Sequence, residues 1–259
     1  TDFHYLRTEW KKITEQESLL GVSLTGLASI NMYDFDFNES ALLAVKENEK
    51  ISRLLGINSA KRITCIKPEG TGSLVLGTSS GVHAWHHFHY KRRMRVAKNE
   101  EIYGYLKKKL PSLIEDEIHG TGAIITIPVK APDNAITRRE EVIDFLERIK
   151  HLNTTWVANG HQDGMNTHNV SATVSIKDWE WNTVRDWMWD NQSGFNGLSF
   201  LPYDTGTYVQ APFEDCDNIE YRELLDKIEQ INLTDIKEMS DYTTLQGELA
   251  CAGGSCEIF

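Results

Sequence analysis

The chain has 259 residues, of which 40% are hydrophobic, so it can form a substantial buried core. Its formal net charge of −11 argues against a general affinity for nucleic acid, because phosphate binding draws on a positive surface. No apolar run approaches the roughly 20 residues that span a bilayer, and the first residues form no secretory signal. Four cysteines are too few for a secreted disulfide framework. These features predict a cytoplasmic globular protein without nucleic-acid or membrane partners.

Helical and β-prone segments alternate along the chain. Apolar spacing and end signals predict helices over Asn38–Leu55, Thr137–Val157, Asp178–Asp190 and Asn218–Asn232. In the first helix, Asn38 is the expected cap and Gly56 the expected end. Short runs rich in β-branched residues predict strands over Arg62–Ile66, Ala123–Val129, Asn169–Ile176 and Leu198–Leu201. Strands separated by helices favour an α/β fold with a parallel or mixed sheet.

Two side-chain clusters stand out beside this pattern. A strand over Tyr90–Val96 places three cations on one face, which we interpret as a solvated or inter-chain face: Lys91, Arg93 and Arg95. A dense histidine group lies in the same region of sequence, at His83, His86, His87 and His89. Because no carboxylate lies nearby in sequence, packing is favoured over a metal site for these histidines. Four tryptophans, at Trp179, Trp181, Trp187 and Trp189, are interpreted as helix packing and surface anchoring.

The stretch after the strand Arg62–Ile66 combines residues suited to binding an anion. It contains Lys67, Pro68, Glu69, Gly70, Thr71, Gly72 and Ser73. Glycines allow backbone N–H groups to approach a phosphate, hydroxyls add donors, and a following helix directs its positive end to the same point. The GKS or GKT ending of a Walker loop is missing. Composition alone also allows a plain tight turn between strand and helix.

Four stretches, in order along the chain, resemble class II ribonucleotide reductases. They are LLGVSLTGLA from Leu19, IKPEGTGS from Ile66 with GTSSGVHAWHHFHYKRRMRV, GHQDGMNTHNVSATVSI from Gly160 and GLSFLPYDTGTYVQAPFE from Gly197. The resemblance implies that residues 1–240 are the C-terminal portion of the family's ten-stranded α/β barrel. It also implies that Lys67 to Ser73 bind the substrate phosphates. Glu69 departs from the serine usual at that position, and a carboxylate beside a phosphate is unfavourable unless it points away.

The last residues carry a second candidate site, at Cys251 and Cys256. Two thiols joined by small residues can close into a disulfide and reopen, and residues 241–259 are predicted to be a flexible tail. The resemblance implies that this pair passes electrons from a thioredoxin- or glutaredoxin-like protein to the active-site disulfide. A metal clip is the alternative, although a zinc site would want two further ligands.

The radical-bearing part of the family is not found in this sequence. The Asn-x-Cys-x-Glu pattern of the radical cysteine is absent, so the resemblance implies a split or truncated enzyme completed by an N-terminal part. Neither the Tyr-Tyr pair of class I nor the glycyl-radical motif of class III is present, which leaves class II with adenosylcobalamin as cofactor. The expected activity is reduction of ribonucleoside di- or triphosphates. The alternative is a non-catalytic nucleotide-binding or assembly module derived from the same fold.

Overall fold

The computed structural model describes residues 3–203, 209–228 and 231–237. The α-helices are α1 (Thr8–Glu17), α2 (Phe37–Leu55), α3 (Gly70–Leu76), α4 (Glu101–Lys109), α5 (Val142–Leu152), α6 (Trp181–Asp190) and α7 (Asn218–Ile228). The strands are β1 (Val22–Ser23), β2 (Thr64–Cys65), β3 (His89–Val96), β4 (Ile114–Asp116), β5 (Ala123–Lys130), β6 (Thr173–Ile176), β7 (Ser199–Pro202) and β8 (Phe213–Asp215). None of the helices in this part of the chain combines the length and the apolar character that a membrane crossing requires.

The chain divides into two compact units. Of the described residues, the first unit contains 3–84 and 139–203, and the second contains 85–138, 209–228 and 231–237. The predicted boundary at residue 240 lies outside the described residues and stays a prediction.

Parallel pairing organises the strands of the first unit. Strand β1 pairs in parallel with β2, and β6 pairs in parallel with β7. A parallel bridge between Ile66 and Val170 joins the end of β2 to the segment that leads into β6. The predicted parallel arrangement is therefore found in this unit, where helices alternate with strands.

Helix α5 supplies much of the first unit's core. Its buried residues recur at helical spacing, so one face of the helix is apolar: Val142, Phe145, Leu146, Ile149 and Leu152. The helix continues through a π-helical turn, Asn153–Val157. The indole N–H of Trp156 in this turn donates to the Cys65 carbonyl over 3.0 Å, which connects the helix to β2.

Two predicted helix starts are wrong. Helix α5 begins at Val142 rather than Thr137, because Thr137 belongs to the second unit and forms a parallel bridge with Trp85. Helix α2 begins at Phe37, and its cap is Asp36, whose carboxylate accepts the Glu39 N–H over 3.0 Å. Its predicted end is confirmed, since Gly56 adopts the left-handed conformation with φ 67°.

The remaining predicted elements are found with shifted ends. Helix α6 starts three residues late and α7 ends four residues early relative to the predicted ranges. Strands β2 and β6 are shorter than predicted, whereas β5 runs one residue further, to Lys130. Helices α1 and α4 and strands β4 and β8 were not predicted, because their apolar patterns are short or weak.

The second unit is built on an antiparallel sheet with strand order β4-β5-β3-β8. The cations of β3 lie on one face, as predicted, with Lys91 and Arg93 half-buried and Arg95 exposed. Lys91 pairs with Glu214 and Glu220, Arg93 pairs with Glu214, and Arg95 pairs with Glu117 over 2.8 Å. Carboxylates from distant parts of the unit therefore pair with the three cations, and the interpretation as a solvated or inter-chain face stays a prediction.

Candidate functional site

The parallel strands of the first unit present two different faces. On β6, Val174 and Ile176 are buried in the core, whereas Thr173 and Ser175 alternate with them and are half-buried. On β2, the buried Thr64 hydroxyl donates to the Trp156 carbonyl over 2.7 Å, on the side of the helices. On β6 the opposite face thus carries the small polar side chains of Thr173 and Ser175, and their partners on β7 are Ser199 and Leu201.

The segment after β2 is held by hydroxyl groups from two other stretches of the chain. The Lys67 N–H donates to the Ser23 hydroxyl over 2.8 Å, and the Ser80 hydroxyl donates to the Pro68 carbonyl over 2.5 Å. Gly81, with φ 54°, lies so close that a Cβ there would collide with the Lys67 carbonyl oxygen. Only glycine fits this position, both for its conformation and for space.

A second network connects the segment after β1 to residues 78–81. The Ser79 carbonyl accepts the Gly26 N–H over 2.9 Å and the Thr25 hydroxyl over 3.0 Å. The Ser79 hydroxyl accepts the Ala28 N–H over 3.2 Å, and the Gly81 N–H donates to the Thr25 hydroxyl over 2.9 Å. Two of the stretches that resemble the reductase family are therefore packed directly against each other.

The predicted phosphate-binding loop is partly helical. Glu69 adopts the left-handed conformation with φ 57°, and α3 begins at Gly70, so Gly70 to Ser73 form its first turn rather than a loop. The Ser73 N–H donates to the Glu69 carbonyl over 2.9 Å. Within the described residues, the N–H groups of Gly70, Thr71 and Gly72 have no hydrogen-bond partner, as expected at a helix start.

The Glu69 side chain does not point away from this turn. Its Oε2 atom is 3.0 Å from the position that a Cβ on Gly72 would occupy, and the side chain makes no capping hydrogen bond. A carboxylate next to free N–H groups is itself favourable at a helix start. An incoming anion would therefore meet a negative charge beside its donors.

The Lys67 ammonium group lies on the same side of β2 as the Cys65 thiol. Both Lys67 Nζ and Cys65 Sγ are 3.5 Å from the position of a Cβ on Gly21. Among the described residues, Lys67 forms no ion pair and its ammonium makes no hydrogen bond. Burial raises the pKa of Cys65, partly offset by Lys67, so the group is a thiol at neutral pH. This state is that of a small buried strand residue.

His83 connects residues 80–83 to β6. Its Nδ1 lies 3.1 Å from the Ser80 carbonyl, and its Nε2 accepts the Thr173 N–H over 3.0 Å. These partners assign the proton to Nδ1. Burial lowers the pKa of His83 to about 4, so the ring is neutral at neutral pH.

The other histidines of the sequence cluster belong to the second unit. His86 is buried there, with Nε2 2.9 Å from the Asp215 carboxylate, and burial lowers its pKa to about 4. Over residues 3–203, 209–228 and 231–237, no three His, Cys, Asp or Glu side chains come together as metal ligands. Of the clustered tryptophans, Trp187 is buried, whereas Trp179 and Trp189 are exposed.

The candidate thiol pair, Cys251 and Cys256, lies outside the described residues. Their predicted role as a thiol shuttle therefore stays a prediction from the sequence. Sequence reasoning identified this pair and the segment Lys67 to Ser73 as candidate sites. It missed the hydroxyl residues Ser23, Thr25 and Ser80, which hold the segment after β2. The only signal for them was their position inside two stretches that resemble the reductase family.

Comparison with known proteins identifies similar chains, although no family model matches. The chain is 26% identical to an adenosylcobalamin-dependent ribonucleoside-triphosphate reductase of Euglena gracilis, over 80% of this chain and 28% of that protein. It is likewise 26% identical to the enzyme of the same name from Lactobacillus leichmannii, over 83% of this chain and 29% of that protein. A crystal structure of a B12-dependent class II ribonucleotide reductase superposes with a TM-score of 0.70 and 19% identity, covering 87% of this chain and 35% of that one.

These comparisons confirm the resemblance to class II ribonucleotide reductases. The chain shares a mixed α/β fold with the corresponding part of the crystal structure. It spans about a third of the length of the proteins it matches.

The state of His83 predicts a pH-dependent stability. Its pKa is about 4 in the folded chain and ordinarily 6.5, so the unfolded chain binds more protons between these values. The contribution of this group to the free energy of unfolding should therefore be fully present above pH 6.5 and fall as the pH drops towards 4, by about 3 kcal/mol. His83→Gln keeps an acceptor for Thr173 and should reduce this fall, leaving the part due to His86. Denaturant unfolding at several pH values measures it, and an unchanged slope in the variant would contradict the assignment.

Proposed function

We propose that the chain is the C-terminal portion of a ribonucleotide reductase that converts ribonucleotides to deoxyribonucleotides by radical chemistry. In this proposal it supplies the substrate-phosphate site, Lys67 to Ser73, and the thiol shuttle, Cys251 and Cys256. The radical cysteine lies on a complementary N-terminal part. The matched relatives are named triphosphate reductases, which favours a ribonucleoside triphosphate as substrate. A cytoplasmic location stays a prediction from the sequence.

The observation that carries the proposal is the set of donors at the start of α3. Three successive N–H groups, on Gly70, Thr71 and Gly72, have no partner within the described residues, and the free ammonium of Lys67 belongs to the segment immediately before them. Such N–H groups and a cation favour a phosphate. The same residues lie in the stretch that resembles the phosphate loop of the reductase family.

The proposed chemistry of these residues is binding and orientation. The N–H groups would donate to phosphate oxygens, and Lys67 would add a positive charge without breaking an existing ion pair. Fixing the phosphates at the end of β2 would hold the ribose over the small polar face of the strands. Orientation of this kind lowers the entropy cost of the radical steps, which take place on residues of the other part.

The polar face of the parallel strands supports the existence of a complementary part. Parallel sheets are normally covered on both faces, whereas Thr173 and Ser175 remain half-buried here. The chain also spans about a third of the length of the matched relatives. We therefore assign the covering of this face to the complementary part, together with bound substrate.

Adenosylcobalamin would supply the organic radical when bound to the complete enzyme. A cavity of about 880 Å³ in the first unit is lined mainly by apolar side chains of α6 and its surroundings, such as Trp181, Met188, Phe195 and Phe200. Its lining also includes polar residues that could meet the amide groups of a corrin ring, namely Arg185, Asp186, Asp190 and Gln192. The use of this cofactor by the chain rests on the names of the relatives.

Complementation tests the proposal directly. The chain is mixed with an N-terminal reductase portion that carries an Asn-x-Cys-x-Glu sequence, adenosylcobalamin, a dithiol and each ribonucleoside triphosphate. We expect deoxyribonucleotide to form only when both polypeptides are present. Nucleotide binding to the chain without any reduction in the mixture would instead favour the non-catalytic module, and absence of both would contradict the proposal.

Gly72→Val tests the donors of α3. A valine side chain at this position blocks close approach to the N–H groups, so the affinity for a ribonucleoside triphosphate should fall by about 1–3 kcal/mol, the scale of donors left unpaired. Gly104→Val is the matched control, because Gly104 also lies in a helix and a Cβ there meets nothing within 4 Å. Calorimetric titration measures the affinity. Equal losses in the two variants, or none in Gly72→Val, would remove the phosphate-binding role.

The thiol shuttle is tested by Cys251→Ser with Cys256→Ser. Closing so short a loop removes little chain entropy, so thermal unfolding should remain nearly unchanged. In the complemented enzyme, multiple turnovers with a thioredoxin-like protein should cease, because its dithiol can no longer be oxidised by way of the tail disulfide. A single turnover should persist, and a small dithiol should restore cycling. Normal cycling with the protein reductant would exclude the shuttle, and loss of a bound metal would indicate a structural pair.

A further inference from the structure

Gly21, directly before β1, lies against the side chain of Lys67. A Cβ on Gly21 would be 3.1 Å from Lys67 Cε and 3.5 Å from Lys67 Nζ. The first distance is shorter than an ordinary van der Waals contact between carbon atoms. The Lys67 side chain therefore occupies space that a larger residue at position 21 would take.

The lack of space for a side chain, rather than the backbone conformation, explains why position 21 is a glycine. Gly26 and Gly81 have positive φ values of 81° and 54°, whereas Gly21 is not in the left-handed region. Any residue could adopt the backbone conformation of Gly21. A side chain at position 21 would instead change the position of the Lys67 side chain next to β1.

The direction of Lys67 follows from the strand before it. Cys65 and Lys67 are two residues apart, so their side chains leave the chain on the same face of the sheet, and both come within 3.5 Å of the position of a Cβ on Gly21. The Lys67 N–H donates to the Ser23 hydroxyl over 2.8 Å, which anchors the backbone, whereas the ammonium has no hydrogen-bond or ion-pair partner among the described residues. A methyl group at position 21 would thus displace the ammonium rather than the fold.

We propose that Gly21 is a positioning residue for the substrate triphosphate. Its lack of a side chain places the Lys67 ammonium beside the Cys65 thiol at the ends of β1 and β2, where the charge acts on the phosphates. This inference rests on the proposed function and adds a residue to its site. Lysine is a flexible point charge, so its contribution depends on where its neighbours hold it.

A double-mutant cycle between Gly21→Ala and Lys67→Met tests the proposal. Methionine keeps an unbranched side chain but removes the charge, so both backgrounds retain the steric contact with position 21. With Lys67 present, we expect Gly21→Ala to weaken CTP binding by roughly twofold, because the methyl group displaces Lys67 Cε by a few tenths of an ångström and lengthens one charge–phosphate interaction. In the Lys67→Met background, the same change should have no effect on CTP binding. An equal loss in both backgrounds would assign Gly21 a merely structural role and overturn the proposal.

Gly197→Ala is the matched control, because Gly197 lies in the same unit and a Cβ there meets nothing within 4 Å. It should leave CTP affinity and the unfolding temperature unchanged. Gly21→Ala should also leave the unfolding temperature nearly unchanged, since the atoms displaced are the far end of a flexible side chain. No loss of CTP affinity in Gly21→Ala, when Lys67→Met does weaken binding, would likewise overturn the proposal.

A second measurement works without nucleotide. Lys67 lowers the pKa of the Cys65 thiol, opposing the effect of burial. The carbon-13 shift of Cys65 Cβ, followed against pH, should report a higher pKa in Gly21→Ala when Lys67 is present and no change in the Lys67→Met background. This result would support the positioning role even if the wild-type chain failed to bind CTP, a failure that would count against the proposed function alone. An unshifted Cys65 pKa in Gly21→Ala would show that the ammonium had not moved and would overturn the proposal.

Discussion

Ser79 holds together two parts of the chain that are about fifty residues apart in sequence. Its carbonyl accepts hydrogen bonds from Gly26 and Thr25, and its hydroxyl accepts one from Ala28. The side chain is buried, so an unpaired polar atom here would carry the full cost of desolvation. The position of the segment after β2 depends on this contact, because Ser80 and Gly81, the next two residues, are the ones that touch Pro68 and Lys67.

The proposed phosphate site therefore has a fixed side and an open side. On the fixed side, backbone groups of Lys67 and Pro68 are bonded to serine hydroxyls. On the open side, the N–H groups at the start of α3 are free within the described residues. Donors held in this way need little reorganisation when an anion binds, which favours affinity. Glu69 works against it, since its carboxylate must either turn away or remain beside a bound phosphate.

The sequence predicts best those structural features that depend only on residues close together in the chain. Strand β5 has an almost continuous run of β-branched residues, and its end lies one residue from the predicted end. Helix α2 ends at Gly56, because the helix end requires a residue in the left-handed conformation. The start of α5 could not be predicted, since Thr137 is a good cap in isolation but is paired with Trp85 across the second unit. The ion-pair partners of the basic face of β3 could not be predicted for the same reason. Glu214 and Glu117 pair with it from segments that sequence order does not bring near.

In the candidate site, too, local sequence signals can be predicted, whereas tertiary contacts cannot. Glycines, a lysine and hydroxyls in one short stretch predicted anion chemistry, and the family resemblance selected the phosphate interpretation over a plain turn. The roles of Ser23 and Ser80 depend on tertiary contacts with Lys67 and Pro68, so neither residue could be identified from spacing. The Gly21 contact is of this kind too, because a glycine that provides space has no signature in a single sequence.

Side-chain size on the polar face bears on what that face can hold. When parallel strands close around a packed core, the interior is filled by bulky branched side chains. Here the positions that alternate with the buried Val174 and Ile176 are Thr173 and Ser175. Small polar residues leave volume and hydrogen-bonding groups next to the end of β2. In the proposed complete enzyme that volume is where a ribose would lie, with its phosphates held at α3, so the polar alternation and the free N–H groups have one common explanation.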